Sequence, residues 1–368
     1  MDAALLREET SVRALLREVE NVLGRLGREI KIMEICGTHT MTAYRSGLGN
    51  ALRKKGLHLI AGPGCPVCIT PDGVVGAVAR FVQENPGVIV TSFGDMLRVP
   101  TSSGSLFNIV PARDSMIKVI YSPEEVVDIA VSNQKKHIIF LAVGFETTIP
   151  SIAWVVDEAE KRRVKNLYLV TCLRLVPPPL RAILDGRETR LDGFVYPGHV
   201  SVIIGSKPYE FIPKEYGIPG AITGFEPADL LIGIISVLKQ IEDENPSVDI
   251  AYKRAVKPEG NLLARRIMEN KFFVADADWR GFGMLPGSGL KLKNERMDAE
   301  RAFQLDFATV WENNACRCGD VVKGKIEPEE CALFKKVCTP EKPIGPCMVS
   351  MEGACLIHYK YSGVTWTE

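Results

Sequence analysis

Cys65 and Cys68 are two residues apart in GPGCPVC, a loop stiffened by Pro63 and Pro66. A C-x-x-C pair can ligate zinc, cycle between dithiol and disulfide, or hold another metal as two thiolates. Cys36 and His39, in CGTHT, offer a second combination. A thiolate at a helix N-terminus beside an imidazolium is an activated nucleophile or a soft-metal ligand. Together with Cys65 and Cys68 this pair would complete a four-ligand zinc site. The plain alternative for Cys36 and His39 is a buried structural cysteine beside a capping histidine. The glycines and prolines around Cys65 and Cys68 fix an exposed loop geometry that a core cysteine does not require. Six further cysteines crowd the C-terminal region: Cys316, Cys318, Cys331, Cys338, Cys347 and Cys355. Zinc knuckles are usually tight pairs, whereas more widely spread thiolates also suit an iron–sulfur cluster. Six exceed one cluster's four ligands by two, and the surplus pair can serve as a redox dithiol beside it. A zinc site with two idle thiols is the alternative. Cys172, alone in an apolar run, reads as core.

Composition narrows the class. At 368 residues and 46% hydrophobic, the chain can bury more than one core, and two or three domains are expected. Its 45 basic and 45 acidic residues cancel, so no patch points to nucleic acid or an anionic membrane, and the expected partners are proteins or small molecules. MDAALLREETSVRALLREVENVLGRL has apolar residues at Leu5, Val12, Leu15, Leu16, Val19, Val22, Leu23 and Leu26, interleaved with Arg and Glu. That spacing makes an amphipathic helix, without the core of a signal peptide or the length of a membrane span. A cytoplasmic protein is expected, and ten cysteines in a reducing compartment call for metal or redox chemistry.

The elements that must position these residues read as parallel α/β units. Strands are expected near 30–35, 57–61, 88–92 and 117–121, then near 137–143, 167–172, 193–196 and 218–222. Thr70-Pro71-Asp72 and Ser122-Pro123-Glu124 read as helix starts with a hydroxyl cap and a proline at the first position. Four strands followed by four more suggest two similar parallel-sheet α/β lobes, 1–135 and 136–246, divided near Asn133–Lys136. A smaller irregular module, 247–368, follows, in which WRGFGMLPGSG (Trp279–Gly289) reads as turns and close backbone contacts. Ligands bind beyond the carboxyl ends of strands in such sheets. CGTHT, GPGCPVC and GFETT (Gly144–Thr148) each follow a strand, which would gather Cys36, His39, Cys65, Cys68 and Glu146 around one cleft between lobes. Glu146 is an acid, base or hydrogen-bond anchor, or simply part of a helix start capped by Thr147 or Thr148. His199, in YPGHVS, is a weaker candidate at another strand end, and TGFEP (Thr223–Pro227) echoes GFETT as in a duplication.

With CGTHT, GPGCPVC, GFETT and the six-cysteine tail in this order, the sequence resembles the HypD family of hydrogenase maturation proteins over nearly its whole length. The resemblance implies two similar α/β lobes with an iron–sulfur module, and a scaffold role in building the Fe(CN)2CO unit of NiFe hydrogenases. It implies iron held between Cys36 and the N-terminal cysteine of a small chaperone, HypC, with cyanide delivered by HypE working with HypF. His39 would assist or orient, and Cys65 and Cys68 would donate electrons or ligate. The tail resembles the cluster and disulfide arrangement of ferredoxin:thioredoxin reductase. That likeness implies Cys316, Cys331, Cys338 and Cys355 as ligands of a 4Fe-4S cluster and Cys318 with Cys347 as the redox pair. Glu352, in MEGAC, would lie near the iron site or the cluster, with Glu146 a second polar group. Two other classes remain: a cluster-dependent thiol–disulfide oxidoreductase acting on a protein, and a zinc-stabilised interaction module.

Overall fold

The computed structural model describes residues 9–101, 104–307 and 315–366. The chain opens with α1 (Glu9–Leu26), β1 (Ile30–Glu34), α2 (Gly37–Arg45), α3 (Leu48–Lys54) and β2 (Leu57–Ala61). Next come α4 (Asp72–Glu84), β3 (Val88–Ser92), the one-turn α5 (Gly94–Leu97), β4 (Met116–Val119) and α6 (Glu125–Ser132). The middle runs β5 (His137–Gly144), α7 (Ile149–Lys161), β6 (Leu167–Arg174), α8 (Pro177–Gly186), β7 (Gly193–Pro197), α9 (Gly198–Ile204), β8 (Gly220–Thr223) and α10 (Pro227–Glu242). The last stretch holds β9 (Val248–Ile250), α11 (Leu262–Lys271), β10 (Phe272–Trp279), β11 (Gly283–Leu292), α12 (Ala299–Phe303), α13 (Cys318–Val322) and α14 (Ala354–Tyr361).

The amphipathic first helix forms as its spacing requires. Val12, Leu16, Val19, Val22 and Leu23 are buried, and α1 packs on α10, where Arg25 pairs with Glu242 at 2.5 Å. Each such side chain contributes about 1.5–3 kcal/mol when fully buried. Leu5 lies outside the described residues. Among the described residues no helix is long and apolar enough to cross a membrane.

All eight expected strands are present, but they do not sort into consecutive blocks. One sheet has the order β2-β1-β7-β8-β9 and is parallel throughout; the other has the order β10-β11-β6-β5-β3-β4, with β10 and β11 antiparallel. The first sheet therefore takes strands from both expected lobes. The expected boundary at Asn133–Lys136 falls between α6 and β5, within the second sheet. A parallel strand's partner is decided by where its crossover lands, not by chain order. The segment 247–368 is likewise not one separate module: β9 edges the first sheet and the β10–β11 hairpin extends the second. WRGFGMLPGSG is a turn only in its first part: Trp279 ends β10, and Gly283–Gly289, expected as turns, is the start of β11, with Gly281 and Gly283 at φ 82° and 73°.

Two helix starts differ from expectation. Thr70 does not cap α4; its hydroxyl donates to Pro66 O at 2.8 Å and stiffens the cysteine loop instead. At α6, Ser122 does not cap the helix; its hydroxyl donates to the Glu124 carboxylate, and Glu125 Oε1 reaches back to accept from the amides of Tyr121 and Ser122 at 2.9 Å. α7 begins after Thr148, which makes no side-chain cap bond.

Strand order reverses between β1 and β7 in one sheet and between β3 and β5 in the other. Loops leaving on opposite sides of a sheet open a crevice at such a point. CGTHT follows β1, GFETT follows β5, and Asp95 follows β3. The fold thus places the sequence motifs at paired crevices.

Candidate functional site

Cys36 is built into a clamped turn. Extended backbone at Cys36 leads into α2, and its carbonyl accepts from His39 N at 2.8 Å and Thr40 N at 3.2 Å. The side chain of Glu34, only 3% exposed, accepts from Cys36 N at 2.9 Å and from the Thr40 hydroxyl, so one carboxyl grips both ends of the turn. Burial raises the Glu34 pKa to about 8, against the pull of those two hydrogen bonds. The motif reading missed Glu34. The available signal was alternation, which puts it on the strand face of Ile30 and Ile32.

Two other segments close on this turn. A Cβ on Gly64 would stand 2.5 Å from Cys36 N, and Gly37 N donates to Gly64 O at 3.4 Å, so only glycine lets the GPGCPVC loop approach this near. Gly37 rests directly on the backbone and Cβ of Glu352. Thr38 donates to Glu352 Oε1 at 3.3 Å, and Met351 N donates to Asp95 Oδ2 at 2.9 Å. The segment around Glu352 therefore bridges the two crevices.

The electrostatics differ from those expected of an activated thiolate. Burial pushes the Cys36 thiol up to about 12, with Glu352 and Glu34 adding to the rise, so it is protonated at neutral pH. His39 is fully buried and is lowered to about 4 by burial, which makes it a neutral imidazole. Its Nε2 lies 3.0 Å from Gly224 O and 2.9 Å from Thr223 Oγ1. A carbonyl needs a donor, so the proton sits on Nε2 and leaves an acceptor lone pair on Nδ1. Among the described residues Nδ1 has no hydrogen-bond partner. Phe225, from the TGFEP echo, stacks on His39 at 4.9 Å and on the exposed His199 at 3.7 Å.

Cys65 and Cys68 form a disulfide. Both are buried, 4% and 0% exposed, rather than displayed on an open loop. A disulfide has no thiolate to offer a metal, and among the described residues no three His, Cys, Asp or Glu side chains surround a single-ion site. In this structure Cys65 and Cys68 are paired with each other, so Cys36, His39, Cys65 and Cys68 do not stand as a zinc cage. Glu146 is also buried; both its oxygens face Val176 N, at 3.0 and 3.2 Å, and burial raises its pKa to about 7. Fully buried Tyr209 lies within electrostatic reach of both Glu146 and Cys36. Cys172 is core, as expected, its thiol raised to about 11 by burial.

The tail cysteines surround a small apolar cavity lined by Cys316, Cys318, Cys331, Cys338 and Cys355 together with Phe334. Cys316 and Cys318 sulfurs are 3.3 Å apart, and Cys318, Cys347 and Cys355 stand within hydrogen-bonding range of one another. Ile344 N donates to Cys338 Sγ at 3.4 Å, and Gly345 packs on the sulfurs of Cys316 and Cys318 where no Cβ fits. Soft donors on several sides of an apolar space, with an amide aimed at sulfur, fit an iron–sulfur cluster.

A two-sheet α/β protein that gathers thiols from three chain regions around paired sheet crevices is the class that fold and site define. The sequence profile described as "HypD: Hydrogenase formation hypA family" matches residues 10–362. The chain belongs to this family. It is 41% identical over 340 residues to hydrogenase maturation factor HypD2 of Bradyrhizobium diazoefficiens, covering 90% of this chain and 89% of that protein. It is 38% identical over 378 residues to the HypD factor of Rhodobacter capsulatus, covering 100% and 99%. The Escherichia coli HypD factor is 37% identical over 337 residues, covering 91% and 90%.

Proposed function

We propose that the protein acts in hydrogenase maturation, as a cytoplasmic scaffold and redox protein on which the Fe(CN)2CO unit of NiFe hydrogenases is assembled. The observation that carries this is the turn of Cys36, held by Glu34 and crowded by Gly64 and Glu352. A single thiol fixed by three chain segments suits a ligand that must present one coordination position to cargo shared with a partner. The iron is cargo, bound between Cys36 and the N-terminal cysteine of HypC, and HypE, with HypF upstream, supplies cyanide. An arriving cation lets Cys36 give up its proton, since burial and two carboxyl groups are what hold the thiol protonated. His39 orients the turn through Gly224 O and keeps an acceptor free at Nδ1. When reduced, Cys65 and Cys68 hold two electrons and two protons, which they release on closing the disulfide.

Cys316, Cys331, Cys338 and Cys355 would hold a 4Fe-4S cluster, with Cys318 and Cys347 as the adjacent redox pair. Such a cluster, when bound, supplies electrons one at a time. Cys318 lines the same cavity as the four ligands. Single serine variants decide the partition: brown absorbance is expected to vanish for Cys316→Ser, Cys331→Ser, Cys338→Ser and Cys355→Ser, and to survive Cys318→Ser and Cys347→Ser. Retention in Cys316→Ser with loss in Cys318→Ser would exchange those two roles.

The deciding experiment for the iron site is infrared spectroscopy of the anaerobically purified protein co-expressed with HypC, wild type against Cys36→Ala. Cyanide and carbonyl stretches present in wild type and absent in the variant are expected. Their absence from both, with cluster absorbance and complex intact, would favour a thiol–disulfide oxidoreductase. The Cys65–Cys68 disulfide favours that second function, but burial of both sulfurs limits direct attack by a protein thiol.

A further inference from the structure

Arg280, in the turn after Trp279, is held between the two sulfur sites. Its backbone N–H donates to Ile69 O at 2.9 Å, one residue beyond Cys68. Its guanidinium donates to Thr70 O at 2.9 Å and to both carboxylate oxygens of Asp72, Nη1 to Oδ2 at 2.6 Å. On the other side, Gly281 and Gly319 pack backbone to backbone, with no space for a Cβ on Gly281, and Gly319 follows Cys318. The Arg280 and Asp72 side chains are 15% and 6% exposed. Arg280 Nε is buried and, among the described residues, has no hydrogen-bond partner. Cys316 and Cys318 lie within electrostatic reach of the guanidinium.

A buried ion pair is an inefficient way merely to join two loops, because apolar side chains of similar volume do so at equal or lower cost. We propose that Arg280 is a positioning residue that couples the two sulfur sites, its ion pair with Asp72 fixing the Cys65–Cys68 loop against the cysteine-rich tail. This rests on the redox part of the proposed function. Reduction of the disulfide consumes two electrons and two protons and yields two thiols. A low-potential one-electron donor must therefore load the cluster twice for each disulfide opened.

The test uses full-length, cluster-loaded protein mixed with dithionite, quenched with an alkylating reagent, with Cys65 and Cys68 thiols counted by mass spectrometry. Cys338→Ala gives the cluster-free background. Two neutral replacements of the ion pair are compared, D72N/R280Q and D72L/R280M, so that one remains informative if the other does not fold, and R280K serves as the conservative variant. The neutral variants, with cluster absorbance retained, are expected to open the disulfide about tenfold more slowly, a barrier change of about 1.4 kcal/mol. R280K should recover most of the rate. A folded neutral variant within about twofold of wild type, or an R280K as slow as the neutral variants, overturns the coupling role. Wild type no faster than Cys338→Ala would overturn the electron route itself, and with it the redox part of the proposed function.

Discussion

Glu34 and Glu352 reach Cys36 from opposite ends of the chain, and their charges act on the thiol in the same direction as its burial. Replacing Glu352 by Gln removes one of these influences. Alkylation of Cys36 by iodoacetamide at alkaline pH, followed by peptide mass spectrometry, is expected to accelerate about threefold or more as the thiolate fraction rises; an unchanged rate would separate Glu352 from Cys36. Glu146 gives a pH signature. Its pKa rises from 4.5 to about 7 on folding, so the folded state binds the extra proton between those values. Its stabilising contribution is complete below 4.5 and is lost as pH rises through about 7, a swing of roughly 3 kcal/mol. Urea unfolding of wild type should therefore weaken between pH 5 and 8 by more than that of Glu146→Gln, and parallel curves would contradict the burial argument. The residue types needed for this chemistry were legible in CGTHT, GPGCPVC and GFETT. Their protonation was not, because a thiol at a helix start reads as activated until one knows that it and its histidine are buried. Burial arises from Glu352, Phe225 and Gly64, which lie in other segments.

Between residue and fold, the decisive contacts are between loops. Gly64→Ala would drive a methyl group into Cys36 N and force the GPGCPVC loop away from the start of α2. A loss of about 1–3 kcal/mol in thermal or urea unfolding is expected, with faster exchange of the Gly37 amide, whose acceptor is Gly64 O. A variant as stable and as protected as wild type would show that the loops are not in contact. The strands were legible because buried parallel strands read as nearly unbroken Ile and Val runs. Helix starts were less so. At Thr70 and Ser122 the sequence has the right residues for a cap, but the helices begin after Pro71 and Glu124, and the hydroxyls bond Pro66 O and the Glu124 carboxylate instead. The hairpin at Trp279 read as bare turns because β11 carries glycines and a proline, and its strand character comes from pairing with β10 and β6.

At the scale of the molecule, the interleaving of the sheets argues against the first expected lobe as an independent unit. A fragment of residues 1–135 carries β1 and β2 without β7, and β3 and β4 without β5. It should show no cooperative thermal transition by circular dichroism, and a sharp transition would restore the two-block division. Pairing between distant strands was not legible because hydrophobic pattern records which face is buried, not which neighbour buries it. The same interleaving bears on biosynthesis. β1 and β2 precede β7, which completes their side of the sheet, by more than a hundred residues, roughly 7–26 s at ordinary translation rates. During that interval β1 presents an unpaired edge of the kind that attracts stray strands. Later still comes α14, which packs on α2 and carries Cys355 near its start. Correct folding of the nascent chain should therefore depend on holdase chaperones, and the turn around Cys36 takes its final form only after Glu352 and α14 have been made.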